Sequence, residues 1–557
     1  MSAIGADVFV RSITFNDNTN IQFGHSDIVV FTGPNNSGKS QVLKDIARRY
    51  MNSYTREIVT KSQGHDFVGE PTKEYLKEVS KGYDGDYKLG THRYGTYQNA
   101  IDMWKRQDLS VLGSLFLTVL PTESRLTSSN AVNSIDFTND KPSNSLQVLY
   151  MDDEKTNELD GYFHNAFGIH LILNKGAGSK ITLHVGNEVE IKEGEDRVSS
   201  EYLKRLVKLP LIEQQGDGMR SFAGVLLNII AGNKSVTLLD EPEAFLHPPQ
   251  ARLLGEILAK HTHQNRQLFI STHSEDFLKG LLTTGKENVR VVRINREGDI
   301  NHMSLLDNEG VRTLWKDPIL RFSNILSGLF HSKVVICEAD TDCRFYQSVV
   351  DSIVEKEARV SPDILFTHCG GKDRLKTVVS SLKTLNVKVA TIVDIDVLNN
   401  KKTFSELLES VGGLFGDVES EWNTIDDYVK HQRPQLNTED VKKEIETILA
   451  QETQTTLTLD TADKIKRQLR LSSAWSKIKE VGYKFFTGGA YNAYLAIDDY
   501  CRQKGIFIVP VGELEFFYRK NSHHGVKWVT EVLESVNIGE DKELEDARNF
   551  MLEVLGY

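Results

Sequence analysis

Hydrophobic and polar positions alternate along residues 8–15, and a continuous apolar run follows at residues 28–31. Alternation is typical of a strand with one buried face, and a continuous run is typical of a strand buried on both faces. A glycine-rich segment comes next, after which Val42, Leu43 and Ile46 keep helical spacing. The pattern therefore predicts a strand, a loop and a helix in succession.

Similar patterns continue as far as residue 271. Residues 112–120, 235–239 and 267–271 are predicted strands, residues 162–189 suggest further strands, and residues 221–230 predict an apolar helix. Residues 52–110 are polar and interrupted by glycines, so they predict an irregular surface region inside an insertion or dimerisation region at about 52–160. The alternation of strands and helices predicts an α/β fold.

A second pattern of buried strands begins near Lys333. The predicted strands are residues 334–337, 364–367, 387–393 and 506–511, and a charged, helix-forming insertion separates the last two at about 400–500. At 557 residues the chain exceeds one hydrophobic core. We therefore expect two domains, at residues 1–325 and 326–557.

Composition narrows the classes of protein. Mean hydropathy is -0.35 and no apolar run is long enough to cross a bilayer, so neither a membrane span nor a secretion signal is expected. The 4 cysteines form no C-x-x-C pair, which fits a reducing cytoplasm. The net charge of -12 argues mildly against nonspecific coating of nucleic acid. One segment could form a local basic groove, although a solvated helix face is the favoured interpretation: Lys464, Lys466, Arg467, Arg470, Lys477 and Lys479.

The glycine-rich segment at residues 33–40, Gly-Pro-Asn-Asn-Ser-Gly-Lys-Ser, matches the P-loop pattern in full. Its backbone N–H groups would turn toward phosphates, Lys39 would reach the β- and γ-phosphates, and Ser40 would bind Mg²⁺. The predicted ATP-binding residues are Gly33, Asn35, Asn36, Ser37, Gly38, Lys39 and Ser40.

The predicted strand at residues 235–239 ends in Asp240-Glu241. An acidic pair at this place would complete a P-loop site, with Asp240 holding Mg²⁺ and Glu241 polarising the attacking water. The following segment, Asp-Glu-Pro-Glu-Ala-Phe-Leu-His-Pro, resembles the Walker B motif and D-loop of ABC-type ATPases, and His273 resembles their switch histidine.

Residues 216–221, Gly-Asp-Gly-Met-Arg-Ser, stand where the signature motif of these ATPases belongs. Gly218 and Arg220 are the residues carried over from that motif. In ABC-type ATPases the signature of one subunit completes the ATP site of another. The resemblance therefore implies a homodimer or a larger homo-oligomer.

Acidic residues follow three predicted strands of the second domain: Glu338 and Asp342, Asp394 and Asp396, and Glu513 and Glu515. Asp394 and Asp396 flank one residue, so in an extended chain their side chains would point the same way. Parallel strands end at one edge of their sheet, which would gather six carboxylates. Such a cluster needs cations, and oxygen ligands select Mg²⁺ or Mn²⁺.

Glu338, Asp394 and Asp396 resemble the acidic residues of the Toprim domain, and Gly370-Gly371-Lys372 resembles its glycine turn. An ABC-type ATPase followed by Toprim is the architecture of the OLD-family (overcoming lysogenization defect) endonucleases, which include the Gabija nuclease subunit and retron-associated effectors. Members commonly use a basic residue near the C-terminal metal site. Lys520 and Lys527 are the candidates, and we take Lys527 as catalytic with Glu241, His273, Glu338, Asp394 and Asp396.

The resemblance implies an ATP-gated, divalent-metal-dependent DNA endonuclease of phage defence. Its partners would be DNA and a defence protein, either a reverse transcriptase with retron nucleic acid or a helicase. The alternative is an ATP-driven DNA clamp or repair scaffold in which Toprim binds without cleaving. An ABC transporter subunit is disfavoured because no membrane segment is found.

Overall fold

A computed structural model describes residues 5–51, 56–80, 82–83, 86–89, 93–136, 142–176, 178–261, 265–306, 325–371, 374–432, 438–450, 456–468, 474–521 and 523–556. The chain divides into two compact units, residues 1–322 and residues 323–557. Each unit has its own sheet and its own hydrophobic core.

The first unit alternates strands and helices. Its strands are β1 (Asp7–Phe15), β2 (Asn20–Gln22), β3 (Ile28–Thr32), β4 (Thr60–Val68), β5 (Gly82–Tyr83), β6 (Asp86–Leu89), β7 (Arg93–Thr96), β8 (Leu117–Leu120), β9 (Val132–Asn133), β10 (His170–Leu173), β11 (Lys180–Ile181), β12 (Leu183–Gly186), β13 (Val236–Asp240), β14 (Gln267–Ser271), β15 (Val289–Glu297) and β16 (Ile300–Leu305). Its helices are α1 (Lys39–Met51), α2 (Lys73–Val79), α3 (Tyr97–Lys105), α4 (Leu109–Phe116), α5 (Thr122–Ser128), α6 (Ser145–Met151), α7 (Asp153–Phe167), α8 (Ser200–Leu206), α9 (Asp217–Ala231), α10 (Pro248–His261) and α11 (Glu275–Thr283).

A six-stranded sheet in the order β16-β15-β3-β14-β13-β8 forms the centre of this unit. Its strands are parallel except for β16, which pairs antiparallel with β15. Strand β14 lies between β3 and β13, with Ser271 opposite Asp240 on one side and Phe31 on the other. The loops after these three strands therefore leave the same edge of the sheet.

Three predictions for this unit were wrong in part. Residues 112–116 belong to helix α4, and only residues 117–120 form strand β8. Residues 162–167 lie in helix α7, because the strand-like aromatic spacing there falls on a helix capped by Asp152 and ended by Gly168 at φ 71°. Residues 60–68 are not irregular, since β4 pairs with β1 through most of its length.

The second unit has four strands and ten helices in the part of the chain described. The strands are β17 (Lys333–Cys337), β18 (Ile364–His368), β19 (Val389–Val393) and β20 (Ile506–Ile508). The helices are α12 (Asp340–Glu357), α13 (Leu375–Thr384), α14 (Lys401–Ser410), α15 (Glu419–His431), α16 (Thr438–Ala450), α17 (Leu459–Gln468), α18 (Ala474–Val481), α19 (Gly488–Gln503), α20 (Val526–Ser535) and α21 (Glu545–Leu555).

The strands form one parallel sheet in the order β18-β17-β19-β20. Helices α12, α20 and α21 supply the largest buried side chains of the core, among them Tyr346, Trp528 and Phe550. Because all four strands run the same way, the acidic residues that follow β17, β19 and β20 leave one edge of the sheet. No helix in the described residues is long and apolar enough to cross a membrane.

Candidate active sites

The P-loop connects β3 to α1 and is shaped for phosphate. Gly33 and Gly38 have φ of 143° and 103°, which other residues rarely adopt, and a Cβ on Gly33 would lie 2.1 Å from the carbonyl oxygen of Ile294. Lys39 Nζ donates to the carbonyl oxygens of Gly33 and Pro34 at 2.8 and 2.7 Å. Ser37 Oγ is buried with no hydrogen-bond partner among the described residues. These groups fit a bound phosphate chain, which can accept from the lysine, the hydroxyl and the helix N-terminus.

An asparagine pair fixes the P-loop from behind. Asn301 Nδ2 donates to Ser37 O at 2.5 Å, and Asn16 Nδ2 donates to Asn301 Oδ1 at 2.8 Å. The exposed Asn35 and Asn36 lie at the tip of the loop, and Asn36 has φ 61°. Ser40 lies in the first turn of α1, where its hydroxyl can approach a cation bound with the phosphates.

Strand β13 ends at Asp240, and Glu241 follows it. Strand β14 separates β13 from β3, the strand that leads into the P-loop. Ser271 Oγ donates to Asp240 Oδ1, and Glu241 Oε1 lies 3.2 Å from His273 Nε2. Glu241 has φ 48°, a left-handed conformation that strains a residue with a side chain. The structure thus brings the predicted Walker B pair and the predicted switch histidine together.

Burial controls the charges of this site. Burial, followed by the positive charge of Lys39, lowers the pKa of His273 to about 4. His273 is therefore neutral at pH 7, and its contact with Glu241 is not an ion pair. Burial also raises the pKa of Glu243, whose Oε1 accepts from Thr272 Oγ1 at 2.7 Å and from His273 N at 2.9 Å.

The signature-like segment begins helix α9. Gly218 lies against the D-loop-like turn, where a Cβ would come within 2.7 Å of Phe245 O. Arg220 pairs with Asp217 at 3.0 Å and donates to Leu126 O at 2.9 Å. The contacts given for Gly218 and Arg220 are thus with residues of the same subunit.

Sequence reasoning missed one residue of this site, Arg125 of α5. Its side chain is fully buried, and its NH1 and NH2 groups donate to the carbonyl oxygens of Asp240 and Glu241. The only signal in the sequence was a lone arginine shortly after a predicted strand, which is not specific.

The first part of the acidic edge in the second unit joins the ends of β17 and β19. Glu338 Oε1 accepts from Asp394 N at 3.2 Å, so the two predicted residues are neighbours. Asp342 Oδ2 accepts from Ala339 N at 3.0 Å, which folds it onto the start of its own helix. Burial raises the pKa of Asp342, and the charge of Glu515 raises it further.

The second part of the acidic edge is neutralised by Lys479 of α18. Its Nζ lies 2.8 Å from Asp396 Oδ2 and also contacts Glu513 Oε1. Burial disfavours the ammonium, but the hydrogen bonds with Asp396 and Glu513 outweigh it and raise the pKa of Lys479. Glu515 instead accepts from Gly525 N at 2.9 Å.

The predicted geometry of the acidic pairs was wrong in one respect. Strand β19 ends at Val393, and a 3-10 helix at Ile395–Asn399 begins between Asp394 and Asp396, so the two residues do not share a strand face. A second 3-10 helix, Leu514–Phe517, begins between Glu513 and Glu515. Within the described residues, no three His, Cys, Asp or Glu side chains are grouped closely enough to hold a metal ion.

The donor chemistry nevertheless fits hard divalent cations. Burial raises the pKa of Tyr346 well above its usual value, and the charges of Asp342, Asp394 and Glu338 raise it further. Carboxylate oxygens suit Mg²⁺ or Mn²⁺ and not a sulfur-seeking metal. Glu338, Asp342 and Asp394 would supply such oxygens to a first ion, and Asp396, Glu513 and Glu515 to a second.

Among the described residues, no ion pair joins either predicted basic candidate to the acidic edge. Lys520 pairs with Glu543 at 3.1 Å. Lys527 lies in the exposed first turn of α20, and no ion pair of it is found in the part of the chain described. Lys479 of the predicted basic segment contacts the acidic edge. Arg470 and the side chain of Arg467 lie outside the described residues, as does Lys372 of the glycine turn.

Comparison with protein families supports the two-part organisation. Residues 121–278 match the model described as an AAA domain, putative AbiEii toxin, of a Type IV toxin–antitoxin system. Residues 329–396 match the Toprim domain of proteins like the overcoming lysogenization defect protein. The first match includes Arg125, Asp240 and His273, and the second includes Glu338 and Asp394.

The chain is 26% identical over 175 residues to the Old nuclease of Escherichia phage P2, a match that covers 30% of this chain and 29% of that protein. The chain therefore spans less than a third of the length of that curated relative. Solved structures that match the chain include the SMC head domain from Thermotoga maritima, 11% identical, with 54% of this chain and 99% of that chain covered and a TM-score of 0.28. Another is the Smc head domain from Pyrococcus furiosus, 10% identical, with coverage of 56% and 99% and a TM-score of 0.31.

The order of the matches along the chain agrees with the order of the two structural units. A P-loop ATPase fold comes first, and a parallel sheet with acidic strand ends comes second. The chain therefore combines a region that matches an AAA domain with a following region that matches an OLD-like Toprim domain.

Proposed function

We propose that the protein is an ATP-gated, divalent-metal-dependent DNA endonuclease. The observation that carries the proposal is the meeting of Glu338 and Asp394, from two neighbouring parallel strands, at the edge of a Toprim sheet that follows a P-loop ATPase unit. Carboxylates in this arrangement serve phosphodiester chemistry, and a separate nucleotide site in the same chain supplies a means of control.

The first unit has the groups needed for ATP hydrolysis. Lys39 and the P-loop N–H groups bind the phosphates, and Glu241 accepts a proton from water as the water oxygen bonds to the γ-phosphorus. The bond from that phosphorus to the β–γ bridging oxygen breaks, and ADP leaves with the electron pair. Neutral His273, 3.2 Å from Glu241, orients that carboxylate. Mg²⁺ held by Ser40 and Asp240 would neutralise phosphate charge.

The second unit has the groups needed for phosphodiester cleavage. Glu338, Asp342 and Asp394 on one side, and Asp396, Glu513 and Glu515 on the other, would hold one or two Mg²⁺ or Mn²⁺ ions. Bound ions would activate water and stabilise the charge on the leaving oxygen. Lys527 remains the proposed basic catalytic residue, and Lys479 is the cation that the acidic edge holds.

A cleavage assay on duplex DNA tests the proposal. We expect cutting with Mg²⁺ or Mn²⁺ that is lost in Glu338→Ala and Asp394→Ala, while both variants still hydrolyse ATP. Lys39→Ala should abolish ATP hydrolysis and change the ATP dependence of cutting, because it acts on the gate. Undiminished cutting by Glu338→Ala would contradict the assignment of the metal site.

One observation favours a second candidate function. Among the described residues, no three acidic side chains are grouped closely enough to be metal ligands. Lys479 also neutralises two of the acidic residues at this edge, Asp396 and Glu513. A Toprim unit in this state could bind DNA without cutting it, so that the protein would be an ATP-driven clamp. ATP-dependent DNA binding with no cleavage under any divalent metal would establish this function.

The biological role that we propose is supported by the domain combination alone. We propose phage defence, with DNA as the substrate and either a helicase or a reverse transcriptase with its retron nucleic acid as partner. Survival of cells under phage infection, with and without Asp394→Ala, tests the role.

A further inference from the structure

We propose that Arg125 is a positioning residue that sets the orientation of Glu241 for ATP hydrolysis. The inference rests on the ATPase activity proposed above. It concerns a residue outside the P-loop, Walker B, signature-like and switch segments.

Arg125 holds two consecutive peptide groups of the Walker B turn. One end of its guanidinium donates to Asp240 O and, at 3.2 Å, to Leu120 O. The other end donates to Glu241 O at 2.8 Å. A planar fork with several fixed donors can hold two neighbouring carbonyls at once, and a lysine ammonium cannot reproduce this geometry.

Glu241 is fixed from both sides as a result. Its N–H donates to Ser271 O at 3.0 Å, and its carbonyl accepts from Arg125. Between these two contacts the residue has φ 48°, a left-handed conformation that is strained for a residue with a side chain. Without Arg125 the peptide could relax, and the Glu241 carboxylate would leave its position beside His273.

A purely structural role does not account for the burial of this charge. Arg125 is 0% exposed and, in the part of the chain described, has no carboxylate within ion-pair distance. Burial lowers its pKa, and the charges of Glu243, Asp240 and Glu241 oppose that effect. A buried guanidinium held only by neutral oxygens is costly, and a packed apolar side chain would stabilise the fold at lower cost.

Steady-state kinetics of Arg125→Lys test the inference. We expect kcat for ATP hydrolysis to fall at least about tenfold, the loss typical of a misplaced catalytic group. The affinity for a fluorescent ATP analogue should stay within about twofold, because the P-loop is not altered. The matched control is Arg205→Lys, which changes an arginine paired with Glu195 elsewhere in the same unit and should leave kcat unchanged.

A double variant separates positioning from general damage. If Arg125 acts only through Glu241, Arg125→Lys in a Glu241→Gln background should lower kcat no further, because the two losses are not additive. An additive loss, or a normal kcat in Arg125→Lys, overturns the inference. If Arg125→Lys does not fold, Thr122→Val, which removes a 3.4 Å hydrogen-bond partner of Arg125 Nη2, should still lower kcat at unchanged nucleotide affinity. A wild-type protein that hydrolyses no ATP would instead reject the proposed function.

Discussion

At the scale of single residues, Lys479 decides how the acidic edge is neutralised. Its ammonium contacts both Asp396 and Glu513. The sequence indicated a basic segment here but not which member would turn inward, because that depends on the angle at which α18 meets the 3-10 helix at Ile395–Asn399. The residues that follow strands could be predicted, and their cationic partner could not.

We expect Lys479→Met to make the protein depend more on divalent metal. Without the ammonium, Asp396 and Glu513 repel each other, and a bound cation relieves more repulsion. The melting temperature without metal should fall by about 2–4 °C, the equivalent of about 1 kcal/mol for a unit of this size, and Mg²⁺ or Mn²⁺ should raise it by more than in wild type. Lys477→Met, on the exposed face of the same helix, is the control, and equal metal-induced shifts would contradict the expectation.

His65 gives the first unit a pH dependence. Burial, followed by the charges of Arg49 and Arg11, lowers its pKa from 6.5 to about 4, and its Nε2 has no hydrogen-bond partner among the described residues. The unfolded chain binds the proton more readily, so stability is full above about pH 6.5 and falls as pH drops toward 4. The loss should reach at most about 3 kcal/mol.

Urea unfolding at pH 7 and pH 4.5 measures this effect. His65→Gln should show a smaller loss of stability between the two pH values than wild type. The exposed His247→Gln is the control and should behave as wild type. A pH dependence unchanged by His65→Gln would show that other groups cause it.

At the scale of elements, the strands were predictable and the segments between them less so. Strands β3, β13, β14, β17 and β19 consist mainly of apolar residues, and each ends within two residues of its predicted boundary. Helix α4 was missed because residues 112–120 are apolar on every side, and periodicity cannot separate a buried helix from a buried strand. The two 3-10 helices of the acidic edge were missed because such short helices have no hydrophobic period.

Gly512 tests how strictly the loop before Glu513 is fixed. Its φ is 109°, and a Cβ would lie 1.9 Å from Lys479 O. Gly512→Ala should destabilise the protein by about 2–3 kcal/mol and reduce cleavage, because the loop must move away from α18. Gly489→Ala, where a Cβ meets nothing within 4 Å, is the control and should be neutral or slightly stabilising. Full activity in Gly512→Ala would show that this close approach is dispensable.

At the scale of the whole molecule, the signature-like segment raises the question of how many subunits form an ATP site. If the segment of one subunit completes the site of another, Lys39→Ala and Arg220→Ala proteins, each inactive alone, should regain ATPase activity when mixed. In an equal mixture about half of the dimers contain one subunit of each variant, and one of their two ATP sites is intact. At most about one site in four is therefore intact, so partial recovery is expected. Mixing either variant with itself at the same total concentration is the control, and no recovery would indicate a site formed within one chain.

The close contact between Gly482 and Pro510 has a consequence for how this protein could vary. A Cβ on Gly482 would lie 2.0 Å from Pro510 O, and Gly512 meets the backbone of Lys479 equally closely, so the helical segment touches the acidic edge through its last turns. Helix α16, earlier in that segment, supplies none of the atoms nearest to these two glycines. A segment of different length between α15 and α18 could therefore be accommodated while the two glycines keep α18 in register with the acidic edge.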